Sequence, residues 1–302
     1  KMTDKKIISG YIAIIGKANA GKSTLLNSLI EQKVSIVSPK PQTTRNKILG
    51  VWNEEGCQMI FVDTPGALTP HSLLGEYMVK SIESAVRDVD CILYTIDGHK
   101  GISESDIKQI ERYCGKIPVV IAVTKTDICQ PEKLMPELSK LNSVKAESIW
   151  AVSARKGKNI RELREHLKQF LTDDVAYFDK DDITDKSMGF MVCELIREKI
   201  LLLLDEEIPH GVGVQLNKMS YDESRNLWDI DANIIVEKAG HKPIIIGRQG
   251  EKLKKIGSYA RESIEKLTQG KVFLSLWVKV KEDWRNSEYV MKDIGYDKKQ
   301  EF

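Results

Sequence analysis

The chain has 302 residues, 41% hydrophobic and 30% charged, with a net charge of +2. It is longer than the ~250 residues at which single cores stop growing, so two domains are expected; near-neutrality excludes polyanion binding by bulk charge and leaves it to local clusters. Five scattered cysteines (Cys57, Cys91, Cys114, Cys129, Cys193) without a C-x-x-C pair, and five dispersed histidines with no pair at ligand spacing, fit reduced thiols in a cytoplasm better than a disulfide frame or zinc site.

No apolar run approaches the ~20 residues needed to cross a bilayer, and no signal peptide opens the chain. Lys1 ahead of Met2 reads as an added residue, and the protein reads as soluble and cytoplasmic. The first apolar run, YIAIIG (11–16), is continuous, which suits a strand buried on both faces of its sheet. It leads into GKANAGKST, which fits G-x-x-x-x-G-K-[ST] from Gly16 to Ser23 and opens a helix. A strand, loop and helix in that order aim backbone N–H groups at a phosphate chain. The expected binding set is Gly16, Asn19, Ala20, Gly21, Lys22, Ser23 and Thr24, with Lys22 on the β- and γ-phosphates and the Ser23 hydroxyl on Mg²⁺. Residues 31–46, EQKVSIVSPKPQTTRN, hold two prolines and no period and are expected to form a mobile loop. One of Thr43 and Thr44 should join Ser23 on Mg²⁺ when a γ-phosphate is present, making the loop an order–disorder switch. Thr44 is preferred; Arg45 beside it could be imagined as an arginine finger but reads rather as a solvated loop charge.

QMIFVD (58–63) is the next strand and ends in Asp63-Thr64-Pro65-Gly66. A carboxylate there reaches Mg²⁺ through water and the Gly66 N–H faces the γ-phosphate, so Asp63, Thr64 and Gly66 join the set. Lys22, Thr44 and Gly66 are the groups expected to act in catalysis. SLLGEYMVKSIESAVRDV (72–89) has helical spacing, CILYTID (91–97) reads as a strand and ESDIKQIERYCG (104–115) as a helix. PVVIAVTK (118–125) leads into Thr124-Lys125-Thr126-Asp127, where Asp127 is suited to accept from guanine N1–H and the 2-amino group, donors that adenine lacks. SIWAVSA (148–154) closes on Ser153 and Ala154, placed to offer a backbone N–H to guanine O6, and NIRELREHLKQFL (159–171) is a helix. Such alternation predicts a doubly wound, mostly parallel α/β sheet. Each motif falls at a C-terminal strand end, where these sheets bind ligands. Guanine nucleotide with Mg²⁺ is the expected ligand.

Residues 172–186, TDDVAYFDKDDITDK, are acidic and unperiodic and read as a linker. Beyond them Met188, Val192, Leu195, Ile196, Ile200 and Leu203 form one apolar helical stripe. Strand-like GVGVQLNKMSYD and LWDIDANIIVEK follow, then a helix from about Glu251 to Leu267 and a last strand, VFLSLWVKVK. This is a smaller α+β domain. Within it, Gly247-Arg248-Gln249-Gly250 joins a helical or extended apolar segment to a lysine-rich helix. That is the KH signature, a loop that clamps the backbone of about four nucleotides. The expected RNA-binding set is Ile246, Gly247, Arg248, Gln249, Gly250, Lys252 and Lys255, with Ile244, Ile245, Ile246 and Leu253 as an apolar floor for unstacked bases. Residues 240–285 carry eleven Lys/Arg against five Asp/Glu, a local excess of positive charge in a nearly neutral chain. The expected division is a GTPase domain over 1–171, a linker over 172–186 and a KH-type domain over 187–302.

On NAGKSTLLNSLI, PQTTRNKILGV, DTPG, ITDKSMGFMVCELIREKILLLLDEEIPHGVGV and IIIGRQGEKLKKIGSYARESIEKL, the chain resembles the Era family of bacterial GTPases over almost its whole length. The P-loop and DTPG are shared by many GTPases; PQTTR, ELIREK and a C-terminal G-x-x-G domain together are far more specific. The resemblance implies a GTP-hydrolysing switch whose KH domain binds the 3′ region of 16S ribosomal RNA during 30S subunit maturation. It also implies peripheral association with the inner face of the cell membrane in some members; a monomer is expected. Three departures stand out. Ala18 and Ala20 occur where G-x-P-N-V-G-K-S is usual, and Thr124 replaces the asparagine of N-K-x-D. Ala67 follows DTPG where many small GTPases hold a catalytic glutamine and this family a larger apolar residue. Two other readings compete. An RNA-modification GTPase would need a catalytic centre that residues 187–302 lack, and a vestigial nucleotide site sits poorly with intact Lys22, Ser23, Asp63 and Asp127.

Overall fold

The structure, a computed structural model, describes residues 7–204 and 211–297, so Lys1 and the DEEIPH stretch lie outside the described residues. The described chain divides into two compact units. One holds the residues up to Val37, Thr44–Thr69 and Met78–Asp185; the other holds Ser38–Thr43, Pro70–Tyr77 and the residues from Lys186 onward.

The first unit is built on β1 (Ile8–Gly16), α1 (Lys22–Leu29), β2 (Ile48–Glu54), β3 (Cys57–Asp63), α2 (Leu73–Ala85), β4 (Cys91–Asp97), α3 (Glu104–Glu111), β5 (Val119–Thr124), α4 (Pro131–Ser139), β6 (Ser148–Ala151) and α5 (Ile160–Leu167). The first turn of α2 is counted with the second unit. The strands form one sheet in the order β2-β3-β1-β4-β5-β6. All neighbours are parallel except β2 and β3. Every residue of β3, β4 and β5 is buried, the outcome expected for apolar runs covered by helices on both faces. From β1 the chain adds β3 on one side and β4 on the other, so the loop after β1 lies at the point where strand order reverses.

β2 was not among the sequence-predicted strands. It is an edge strand joined to β3 by Glu55 and Gly56, with Gly56 at φ 78° in the turn. The acidic stretch ahead of Lys186 is laid along these strands. Val51 N donates to Ile183 O, and Gln58 bonds the backbone of Tyr177 and Phe178 through its side chain. Asp173 bridges Ser9 of β1.

The second unit comprises α6 (Met188–Leu203), β7 (Gly213–Asp222), β8 (Leu227–Val236), α7 (His241–Ile246), α8 (Glu251–Thr268), β9 (Lys271–Val280) and α9 (Glu288–Asp293). β7 and β8 pair antiparallel, and β8 pairs in parallel with β9, placing Asn233 opposite Trp277. Val192, Ile196 and Ile200 of α6 pack with Ile256, Ala260 and Ile264 of α8 onto Ile230, Ala232 and Ile234 of β8. These alternate β8 residues define the core face of the sheet. The α6 stripe departs from expectation at its start: Met188 is exposed, while Leu201 and Leu204 are buried. Ile245, expected beneath RNA bases, is fully buried in this core, because α7 turns one residue in three or four inward.

Candidate functional site

Lys22 is the first residue of α1, and burial brings its ammonium back onto the loop it follows. Its Nζ donates to Gly16 O at 3.2 Å and Lys17 O at 3.0 Å. Burial lowers its pKa to about 8, against the opposing pull of Asp63. Asp63, also fully buried, moves the other way: desolvation raises its carboxyl pKa while Lys22 and three hydroxyls oppose the rise. Both groups are thus biased toward neutrality, as expected of a site shaped for added charge.

The hydroxyls are those of Ser23, Ser35 and Thr44. Ser23 Oγ and Ser35 Oγ each donate to Asp63 Oδ2 at 2.7 Å, Thr44 Oγ1 lies 3.4 Å from the same oxygen, and Ser23 and Thr44 are 2.7 Å apart. Asp63 Oδ1 is buried and has no hydrogen-bond partner among the described residues. An orphaned carboxylate oxygen beside two hydroxyls, with no cluster of His, Cys, Asp and Glu among the described residues, fits Mg²⁺. That ion takes oxygen ligands and leaves positions for water and phosphate. Of the two threonines, Thr44 meets Ser23 and Asp63, whereas Thr43 Oγ1 donates to its own loop at Lys40 O. Arg45 is 1% exposed, so the expectation of a solvated charge fails: the backbone that buries Thr44 buries its neighbour too.

The base end of the site lies where β5 and β6 finish. Asp127 Oδ1 accepts from Ser153 Oγ at 2.7 Å, and that bond chiefly holds its carboxyl below the usual range. Ser153 N–H donates to Lys158 O, so the Ala154 N–H is the one of the pair without a backbone acceptor among the described residues. Thr124 Oγ1 lies 2.7 Å from Ala20 O and 3.0 Å from Ile96 O, tying the end of β5 to the P-loop with one hydroxyl. Lys125 adds a second tie, its Nζ 2.7 Å from both Asn19 O and Asp97 Oδ2.

Gly66 presses against the P-loop; a Cβ there would stand 2.6 Å from Ala18 Cα. Ala67 N donates to Gly16 O at 3.3 Å, and the residue lines a cavity of about 400 Å³ with Thr64, Leu68, Tyr94 and Gln109. Its methyl group offers no hydrogen bond to a water.

In the second unit the G-x-x-G turn has the left-handed backbone that its glycines suggest. Gly247, Gln249 and Gly250 have φ of 75°, 50° and 81°. A Cβ on Gly247 would meet Lys252 at 2.7 Å, whereas Gly250, which caps α8, faces open space. The α8 N-terminus therefore stands open to an approaching phosphate, with Arg248 and Lys252 nearby in sequence. Lys255 Nζ rests 5.8 Å above the Tyr259 ring.

Sequence reasoning missed Ser35, Asp97 and Arg197. Asp97 was legible as the acid closing CILYTID; Ser35 carried no signal. Arg197 and Glu194, one turn apart in ELIREK, were visible as charges within an apolar stripe. Arg197 donates to both Glu194 oxygens, at 2.7 and 2.5 Å, and to Thr43 O at 2.5 Å.

Comparison with known proteins adds to this geometry. A family model described as a 50S ribosome-binding GTPase matches residues 11–125, and a KH-domain model matches residues 207–285. The chain is 44% identical over 293 residues to GTPase Era of Clostridium botulinum (strain Langeland), covering 96% of this chain and 98% of that one. It is 46% identical over 294 residues to GTPase Era of Clostridium kluyveri, covering 96% and 99%. Two solved structures superpose with TM-scores of 0.91 at 36% identity, covering 96% of this chain. One is Era with MgGDPNP and nucleotides 1506–1542 of 16S ribosomal RNA, covered to 99%; the other is a variant of Aquifex aeolicus Era bound to GDP·AlF4⁻, covered in full at 100%.

Proposed function

The chain belongs to the Era family of GTPases, and we propose that it is a slow GTP-hydrolysing switch whose KH domain binds the 3′ region of 16S ribosomal RNA in 30S subunit assembly. The observation that carries the nucleotide half is the convergence of Ser23, Thr44 and Asp63 beside buried Lys22. In this reading Gly16–Thr24 wrap the phosphates, Lys22 sets its charge against the β- and γ-phosphates, and Gly66 N–H faces the γ-phosphate. Ser23, Thr44 and Asp63 would together hold Mg²⁺, which would neutralise phosphate charge. Asp127 selects guanine, with Ala154 N–H on O6 and Lys125 keeping the loop against the P-loop.

Ala67 supplies nothing to orient water, so unassisted hydrolysis runs at ~10⁻⁴ to 10⁻² s⁻¹. The RNA half rests on the open Gly250, the basic α8 and the relative that carries 16S RNA. Nucleotide state governs RNA access: Thr44 joins the nucleotide site, while the adjoining Thr43 carbonyl is held by Arg197. The protein acts as a monomer in the cytoplasm, and the reading includes peripheral association with the inner face of the cell membrane. No helix among the described residues is long and apolar enough to cross a membrane. The test is affinity for a 16S 3′-end strand with GDP and with a non-hydrolysable GTP analogue. Equal affinities would remove the switch, and a basal rate above ~1 s⁻¹ would remove the slow chemistry.

A further inference from the structure

Ser35 lies outside every motif of the nucleotide site, yet it makes one of the two short bonds to Asp63 Oδ2. Its Oγ donates at 2.7 Å, as Ser23 Oγ does. Ser35 is buried, and its hydroxyl meets neither Ser23 nor Thr44, which meet each other. Its chemistry is therefore directed at the carboxylate and not at the two other hydroxyls. With Oδ2 so occupied, Oδ1 is the Asp63 oxygen left bare.

What holds Ser35 in place is Asn27. Asn27 Oδ1 accepts from Val34 N and Ser35 N, both at 3.0 Å, and Nδ2 donates to Ser35 O at 2.7 Å. One amide thus engages the Ser35 backbone on both sides, which fixes the amide orientation and the direction in which the serine side chain leaves the loop. Val34 and Ile36, on either side, are buried. Asn27 stands four residues after Ser23 in α1, one turn further along the same helical face. Both short bonds to Asp63 Oδ2 therefore rest on a single helix, Ser23 directly and Ser35 through Asn27. The Thr44 contact with that oxygen is longer, 3.4 Å, and in the reading above Thr44 is the hydroxyl that joins the site with the γ-phosphate. The ties of Ser35 run to α1 and use no group assigned to the γ-phosphate.

Resting on the reading of Ser23, Thr44 and Asp63 as the Mg²⁺ site, we propose that Ser35 is a positioning residue for Asp63 and that Asn27 sets Ser35. The pair keeps the carboxylate in one orientation, Oδ2 on the hydroxyls and Oδ1 free, after GTP has become GDP and Thr44 no longer contributes. Without Ser35, Ser23 makes the one short bond that remains on Asp63, and the carboxylate is free to turn. Partners that orient a metal-binding group in this way change metal affinity by about 10–100-fold. The effect falls most heavily on the GDP complex, where no second hydroxyl replaces the lost one.

The experiment is binding of fluorescent GDP and of a fluorescent non-hydrolysable GTP analogue to the full chain, each across a MgCl₂ series and in EDTA. Ser35→Ala should raise the half-saturating Mg²⁺ concentration about tenfold or more with GDP, and by less with the analogue, while GDP affinity in EDTA stays within about twofold of the parent. Asn27→Ala should raise it as well, and adding Ser35→Ala to Asn27→Ala should raise it no further, because the two act through one bond. An unchanged Mg²⁺ response in Ser35→Ala, or a loss of GDP affinity as large in EDTA as in Mg²⁺, overturns the proposal and leaves the site standing. A further rise in the double variant removes Asn27 from the chain of contacts. Equal shifts with the two nucleotides, or parent GDP binding that ignores Mg²⁺ while analogue binding responds to it, overturn the assignment to the GDP complex. If neither nucleotide's binding to the parent responds to Mg²⁺, the reading of the site fails and the proposal falls with it.

Discussion

Replacing Arg197 with methionine tests how the second unit tolerates charge in its interior. The guanidinium is 1% exposed and Glu194 is 8% exposed. Burial by itself pulls the Arg197 pKa down, and the Glu194 carboxylate more than offsets that pull. Arg197 Nη1 is buried without a partner among the described residues, so the pair is held at a desolvation cost that its two short bonds must balance. Arg197→Met keeps most of the volume but leaves a carboxylate buried and unpaired, which costs about 3–5 kcal/mol. Glu198 beside it has its own cation in Lys199 at 2.7 Å and offers Glu194 no relief. Removing both charges, in Arg197→Met with Glu194→Leu, should return stability to within ~1 kcal/mol of the parent, because well-packed apolar pairs replace buried ion pairs at little net change. The assay is hydrogen exchange of α6 amides across a urea series, which reports this unit apart from the other. The single variant should lower α6 protection by about 100-fold or more, and the double should recover most of it. A single variant indistinguishable from the parent, or a double as unstable as the single, would refute the reasoning.

Asp127→Asn should weaken GDP binding by at least ~100-fold, the value of two hydrogen bonds to a charged acceptor, and shift preference to xanthosine nucleotides in competition titrations. Gly66→Ala would place a methyl 2.6 Å from Ala18 Cα and 2.8 Å from Ala18 N, so one backbone must move. Turnover assays should show kcat/KM lower by ~100-fold or more, the scale expected of an ångström-sized displacement. The Ser153 hydroxyl holds the Asp127 carboxyl below the usual carboxylate range, so its contribution to stability is complete above that range and is lost as pH falls through the lower folded-state value. Ser153→Ala removes the main cause, and GDP affinity followed down a pH series should begin to fall at a higher pH than in the parent.

The nucleotide end of the fold was legible because its motifs sit at the ends of continuous apolar strands, and both the strand signal and the motif signal are local. β2 was not legible, since Gly50 interrupts its apolar run and its burial depends on a neighbour distant in sequence: a Cβ on Gly50 would lie 2.7 Å from Leu26 Cδ1. Composition described TDDVAYFDKDDITDK correctly as acidic and unperiodic, yet its backbone partners are on Ser9, Val51 and Gln58, which no local window contains. The same limit accounts for Arg45, whose burial follows from where the Thr44 loop packs and not from its own polarity. In the second unit G-x-x-G announced the turn, but helical phase, fixed only once α7 docks, decided that Ile245 belongs to the core.

The displaced ammonium of Lys22 has a calorimetric consequence. With a pKa near 8 in the free protein, the group is only partly protonated in mildly alkaline solution, and an adjoining phosphate raises that value. Ligation then captures protons from the medium, so the heat observed at pH 8 should track the ionisation enthalpy of the buffer, and GTP should be held less tightly as alkalinity increases. Lys22→Arg, whose cation does not titrate in that range, should show no such buffer dependence.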